Sequence, residues 1–297
     1  MPRPDLLRAP WPLRALWLVL PVLAGPAVAD AFADRSRAVQ VVAAALAWAA
    51  WAAVLAASLV PRTVTLTVVR LLAPGSVPLA AWAAVAGDRT GWGVVGVVAA
   101  VLATAAALAP ATADAFVDGS SYGDERRVAL RVPVAMALGP VPVAWALAAA
   151  SYVTGPLLLA AEQWVAGAVA TVVGAALLAG VATRLHVLSR RWLVFVPAGV
   201  VVHDPVAMAE PVLLQRHLLR RIGPAVAEPA EGAGAPLDLT GGALGLALEL
   251  RTAEPFSLGR RQGRDTIETA DVPAVLVTPG QPAHTLEIAA ERKLPVA

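Results

Sequence analysis

The chain has 297 residues, of which 58 % are hydrophobic and 15 % charged, and its mean hydropathy is +0.69. A soluble domain carries about 25 % charged residues, so much of this sequence suits a bilayer better than water. A formal net charge of only +2 excludes a nucleic-acid binder recruited by bulk charge, and the absence of cysteine excludes disulfides, thiolate zinc sites, iron–sulfur ligation and cysteine nucleophiles.

A spanning helix needs about 20 apolar residues. Six stretches qualify: Ala15–Phe32, Ala38–Val60, Val64–Val85, Trp92–Ala111, Val134–Val153 and Leu157–Ala182. Breaks are expected at Ala33–Arg37, Pro61–Thr63, Gly87–Gly91, Asp114–Pro133 and Thr154–Pro156. Arginines gather at alternate ends: Arg3, Arg8 and Arg14, then Arg62 and Arg70, then Arg126, Arg127 and Arg131, then Arg184, Arg190 and Arg191. The opposite ends hold only Arg35, Arg37 and Arg89, offset by Asp30, Asp34 and Asp88. The positive-inside rule then puts both termini in the cytoplasm of a multi-pass plasma-membrane protein. The first span has a rival reading as a secretory signal peptide ending at Ala27-Val28-Ala29.

The third span carries Pro74, Gly75, Ser76 and Pro78 at mid-depth. Each proline removes a backbone donor, and the freed carbonyls need other partners in hydrocarbon. The motif predicts either a packed kink or a broken helix lining a transport site. Arg70 and Glu162 are the ionisable residues placed to enter the bilayer, where charge is costly and marks candidate function. With the Pro74–Pro78 segment they form a candidate intramembrane site. In the sixth span Gly167, Ala170 and Gly174 recur at helical spacing, as expected for close helix packing.

The loop Asp114–Pro133 holds DGSSYGDERRVALR. It reads as a turn-rich topogenic loop, or as a segment that docks on the C-terminal domain or binds a headgroup. Residues 183–191 read as a basic juxtamembrane hinge. After it the periodicity changes. Trp192–Val196 and Val200–His203 flank Pro197-Ala198-Gly199 as a hairpin. Leu237–Leu239 and Ala243–Leu250 flank Thr240-Gly241-Gly242 as a second one. Val272–Val277 reads as a late strand, and Met208–Ile222 fits strand or helix. Residues 282–293 read as a helix with Pro282 at its first position and an apolar stripe of Ala283, Leu286, Ala290 and Leu294.

The expected architecture is therefore a cytoplasmic N-terminus (1–14), a six-helix α-helical polytopic membrane domain (15–182), the hinge (183–191) and a small β-rich α+β cytoplasmic domain (192–297). The opening Arg191-Trp192 hairpin with Gly199 and the passage from Val275–Gly280 into a helix resemble bacterial pleckstrin-homology-like domains. That resemblance implies a bent sheet closed by a terminal helix. The segments GSSYGDERR (119–127) and RWLVFVPAGVVVHDP (191–205) give the whole chain a likeness to uncharacterised actinobacterial integral membrane proteins. That group implies no activity, so no residue role carries over.

The candidate membrane-surface or docking residues are Arg126, Arg127, Arg184, Arg190, Arg191, Arg260, Arg261 and Arg264. Yet from Trp192 onward nine basic residues face twelve acidic ones, so this is not a strongly basic lipid-binding domain. Gly91-Trp92-Gly93-Val94-Val95-Gly96 matches a dinucleotide-binding spacing but opens a membrane span and follows no strand, so it reads as packing. His203-Asp204 reads as a structural turn. No catalytic, cofactor-binding or metal-ligating constellation is present in the sequence. The expected partners are the lipid bilayer, a protein partner or second copy, and an anionic lipid, with no nucleic acid. The function that follows is a membrane scaffold or auxiliary subunit. A small transporter or lipid-handling envelope enzyme, acting at the broken third helix, is the alternative.

Overall fold

The structure, a computed structural model, describes residues 10–87, 90–226, 234–261 and 266–297. Arg3, Arg8, Asp88, Arg89 and the candidate Arg264 lie outside the described residues. Two compact units emerge: residues 1–115 with 141–185, and residues 116–140 with 186–297.

The first unit is helical. Its elements are α1 (Trp11–Ala31), α2 (Arg37–Leu59), α3 (Thr63–Leu72), a 3-10 turn (Ala73–Gly75), α4 (Ser76–Ala86), α5 (Thr90–Leu108), and most of α6 (Pro110–Asp118), α8 (Pro140–Ala160) and α9 (Trp164–Ser189). Among the described residues six helical segments are long and apolar enough to cross a membrane, matching the six expected stretches. Only 6–33 % of each apolar window is buried within the protein, so most of these side chains need an apolar surrounding from elsewhere. The helices pack through small residues and a few side-chain bonds to backbone. Trp17 Nε1 donates to the Trp51 carbonyl at 2.9 Å, and Trp51 Nε1 returns a bond to the Trp17 carbonyl at 2.8 Å. The Arg14 guanidinium donates to the carbonyl of Ser58. A Cβ on Gly93 would fall 2.8 Å from Ala84 Cα, and one on Gly96 would fall 3.1 Å from Ala24 Cα. Gly93 and Gly96 thus serve packing, while a Cβ on Gly91 would meet open space.

The expected break at Thr154–Pro156 is corrected. α8 runs through Pro156 to Ala160, and the turn lies at Ala161–Gln163. Gly155 is there for contact: a Cβ would sit 2.3 Å from the Thr171 hydroxyl of α9. Gly167 and Gly174 meet Leu159 and Tyr152 in the same way. The buried and half-buried positions of α9 include Gly167, Ala170, Thr171, Gly174, Leu178, Val181, Leu185 and Leu188. Their spacing of three and four marks one face packed lengthwise on another helix, and the expected Ala170 is half-buried on it.

The second unit opens with the end of α6, then β1 (Arg126–Ala129) and α7 (Val134–Leu138). It continues after α9 with β2 (Trp192–Val196), β3 (Gly199–His203), β4 (Val212–Gln215), β5 (Leu219–Pro224), β6 (Leu237–Asp238), β7 (Leu248–Arg261), β8 (Ile267–Val277) and α10 (Pro282–Glu291). They form two four-stranded sheets, β1-β2-β3-β4 and β5-β7-β8-β6. The first expected hairpin is β2–β3, closing with Val196 opposite Gly199 at φ +149°. The second is corrected. Leu237–Asp238 pairs in parallel with β8, and the real hairpin is β7–β8, whose strands are 14 and 11 residues long. The first sheet contributes Val128, Leu193, Phe195, Val200, Val202 and Leu214 to a core completed by Leu248, Leu250, Leu258 and Val275 from the second. In the first sheet Val128 faces Leu193, Leu193 faces Val202 and Phe195 faces Val200, so register and burial agree.

α10 closes this core with Thr285, Ile288 and Ala289 rather than with the expected Ala283 and Ala290, which are exposed. Leu294 is buried as expected. Lys293 lies past the end of the helix at φ +56°. Its N–H bonds the Ala290 carbonyl and the Leu294 N–H bonds the Ala289 carbonyl, a left-handed helix stop.

Candidate functional site

The third span stays helical where a break was the alternative. Ala73–Gly75 tightens to a 3-10 turn between α3 and α4, in which the Ser76 N–H bonds the Ala73 and Pro74 carbonyls and side chains bond the Leu71 and Ala73 carbonyls. Trp145 Nε1 of α8 donates to the Leu71 carbonyl at 2.7 Å. The Ser76 hydroxyl donates to the Ala73 carbonyl at 2.8 Å, and the Thr104 hydroxyl reaches the same carbonyl at 3.2 Å. Pro74 is half-buried and Pro78 exposed in this segment, where the Leu71 and Ala73 carbonyls find side-chain donors from α4, α5 and α8. The Trp145 ring lies over Gly75, 4.0 Å from a Cβ placed there, an ordinary contact distance.

Arg70 and Glu162 are not brought together. Arg70 lies under the charge of Asp114, a buried carboxylate on α6. Sequence reasoning missed Asp114, as it missed Trp145 and Thr104. In the sequence Asp114 opens a polar loop, although the run Pro110–Asp118 has helical length. Glu162 stands exposed in the α8–α9 turn at φ +65°. Its N–H bonds the Leu159 carbonyl and the Gln163 N–H bonds the Leu158 carbonyl, so Glu162 is the left-handed stop of α8.

From Phe116 onward the expected loop Asp114–Pro133 belongs to the second unit, to which it gives β1. Asp118 organises its turn. Oδ1 accepts from the Ser121 hydroxyl at 2.9 Å and from the Arg127 N–H at 2.9 Å, while Oδ2 pairs with Arg126 at 2.5 Å. Arg127 is held by Glu125 at 2.9 Å, and its guanidinium lies 5.6 Å from the Trp192 ring centroid. The Arg127 hydrogen bond holds the Glu125 carboxyl below its ordinary pKa. Arg126 and Arg127 are thus internally paired sheet residues, not free cations for a membrane surface.

Arg191 departs furthest from expectation. Its side chain is 2 % exposed and that of Asp204 is 0 %. Nε and Nη2 donate to the two carboxylate oxygens at 2.9 and 2.6 Å. Arg191 also donates to the carbonyls of Arg131 (2.5 Å) and Leu239 (3.2 Å). Asp204 further accepts the N–H groups of Val206 and Ala207. A guanidinium with this many protein acceptors is a core clamp, so its assignment to membrane docking is corrected. Arg184 and Arg190 are exposed at the end of α9, which stays helical to Ser189 through most of the expected hinge. Arg260 and Arg261 are exposed at the β7 end, where Arg261 Nε donates to the Met208 carbonyl at 3.0 Å.

His203 stacks on Trp192 at 4.7 Å with planes 11° apart. Its Nδ1 lies 2.7 Å from the Arg190 carbonyl. A carbonyl only accepts, so Nδ1 carries the proton, and the His203-Asp204 pair is a structural turn. Among the described residues no three His, Asp or Glu side chains converge on a metal-sized site. Comparison with protein-family models, with curated proteins and with solved structures finds no match to this chain.

Proposed function

We propose that the chain is a non-enzymatic membrane scaffold or auxiliary subunit that presents its β unit to a protein partner or to an inner-leaflet lipid. The observation that carries this reading is the interleaving of the chain. Phe116–Pro140, running from the end of α6 into the start of the fifth span, belongs to the same compact unit as His186–Ala297. The β unit is joined to the helices by three chain crossings instead of one tether. A platform attached in this way has less freedom to lose when a partner binds. The arginine asymmetry puts both termini and the β unit on the cytoplasmic side of a bacterial plasma membrane. We read the two sheets and their closing helix as a pleckstrin-homology-like arrangement.

A second reading, a small transporter or lipid-handling enzyme, draws on Arg70 under the charge of Asp114 among apolar helices, next to the 3-10 turn. Gentle purification from the native membrane followed by mass spectrometry separates the two. A stoichiometric protein partner supports the scaffold. A bound lipid or envelope precursor without a protein partner sinks that reading in favour of the second.

A further inference from the structure

Leu239–Leu248 contains no charged residue, and the loop within it exposes two leucines, Leu244 at 66 % and Leu246 at 50 %. The loop is built, not loose. The Thr240 N–H bonds Asp238 Oδ1 at 2.7 Å, and the Gly242 N–H bonds the Thr240 hydroxyl at 3.1 Å. Gly241, Gly242 and Gly245 take φ of +58°, +71° and +122°, conformations that glycine adopts without strain. The loop rests on the start of the fifth span. A Cβ on Gly241 would lie 3.0 Å from Pro133, and one on Gly242 would lie 3.7 Å from Val134. Val134 opens the apolar segment Val134–Ala160. Arg131 borders the loop, its Cζ and Nε each 3.2 Å from a Cβ placed on Gly245. Arg191 holds the main chain on both sides by donating to the Arg131 and Leu239 carbonyls.

We propose that the Thr240–Ala247 loop is a membrane-surface anchor: Leu244 and Leu246 enter the leaflet in which the fifth span begins. A bilayer is the fitting occupant because the loop lies against the residues at which the chain enters one. Irregular backbone is not tolerated in the hydrocarbon centre, so the loop sits at the headgroup boundary, roughly 5–10 Å deep, as interfacial segments do. The exposed leucines supply the apolar face that such an anchor needs, while Arg131, half-buried and donating through Nη2 to the Gly280 carbonyl at 3.2 Å, helps to hold the loop in place.

The proposal rests on reading the long helices as membrane spans, and its test separates the two. In the cysteine-free full-length protein, Leu244→Cys, Ser257→Cys and Val172→Cys are each labelled with a small fluorophore in lipid nanodiscs. Val172 is 70 % exposed on α9, and Ser257 is exposed on β7. Acyl-chain nitroxide lipid and aqueous iodide serve as quenchers. The expected result is loss of Leu244 and Val172 fluorescence with nitroxide lipid, and loss of Ser257 fluorescence with iodide. Iodide quenching at Leu244 equal to that at Ser257, with Val172 still lipid-quenched, overturns the anchor alone. Protection of Leu244 from both quenchers means that protein covers the loop, and also overturns it. Failure of lipid to quench Val172 brings down the membrane reading and the anchor together.

Discussion

Arg191 and Asp204 carry opposite charges in a place where neither meets water. Their two hydrogen bonds to each other, with those to the Arg131 and Leu239 carbonyls and the Val206 and Ala207 N–H groups, replace the lost hydration. Asp204→Asn keeps the acceptor for Val206 and Ala207 but leaves the guanidinium uncompensated. It is expected to cost about 3–5 kcal/mol, whereas replacing both partners by apolar residues of similar volume leaves no unpaired charge and is expected to cost less. Hydrogen exchange across β2 and β3 in the two variants checks the contrast. Glu125 gives a smaller, pH-dependent effect. Its folded-state pKa is lowered from 4.5 by Arg127. The pair's stabilisation is therefore complete above the unfolded pKa and is lost as pH falls through the lowered value. Both side chains keep partial exposure, 21 % for Arg127 and 30 % for Glu125, so the effect should stay below about 1 kcal/mol. Glu125→Gln should flatten the acid dependence of amide exchange in Arg126–Ala129; an unchanged acid limb would count against the pair.

Elements whose pattern is set by near neighbours were legible in the sequence. The six apolar runs and the β2–β3 hairpin are such cases, since length, hydropathy and a glycine turn are local signals. Misreadings fall where a distant partner decides. Gly155-Pro156 looked like a chain break, yet Gly155 is small to admit Thr171 of α9, and a membrane helix tolerates the proline. Leu237–Asp238 found a partner in β8 instead of in the strand that follows it. The Arg191 guanidinium could not be told from a surface cation until Asp204, 13 residues away, was seen opposite it. Asp114 shared that difficulty, its partner Arg70 lying on another helix. The kinked third span makes the same dependence testable. Trp145→Phe keeps the ring against Gly75 but removes the donor to the Leu71 carbonyl. A loss of about 1 kcal/mol is expected, in line with interhelical hydrogen bonds in bilayers. Thermal unfolding in detergent measures it, and a variant as stable as the parent would mean that the carbonyl has a second donor.

At the scale of the whole molecule, the β unit cannot be cut out at the apparent domain boundary. A fragment beginning at His186 keeps β2 to β8 and α10 but loses β1, which pairs with β2 from Arg126 opposite Phe195 to Ala129 opposite Trp192. It also loses Val128 and Leu130 from the core and the Arg131 carbonyl from the Arg191 clamp. What remains exposes the edge of Trp192–Val196, five residues rich in apolar side chains, which is a template for pairing with other chains. In the intact protein that edge is covered by β1, and the N–H of Arg127 is bonded by Asp118. The fragment His186–Ala297 is therefore expected to associate or precipitate, however well its own core is formed. Joining Phe116–Arg131 to Arg190 through a short glycine–serine linker restores the strand, the two core residues and the Asp118 turn in one soluble chain. Size-exclusion chromatography should show a monomer for the joined form and aggregate for the fragment alone. A monodisperse fragment with native-like exchange protection in β2 would mean that β1 is an accessory to the sheet, and the three-crossing attachment behind the scaffold reading would lose its structural basis.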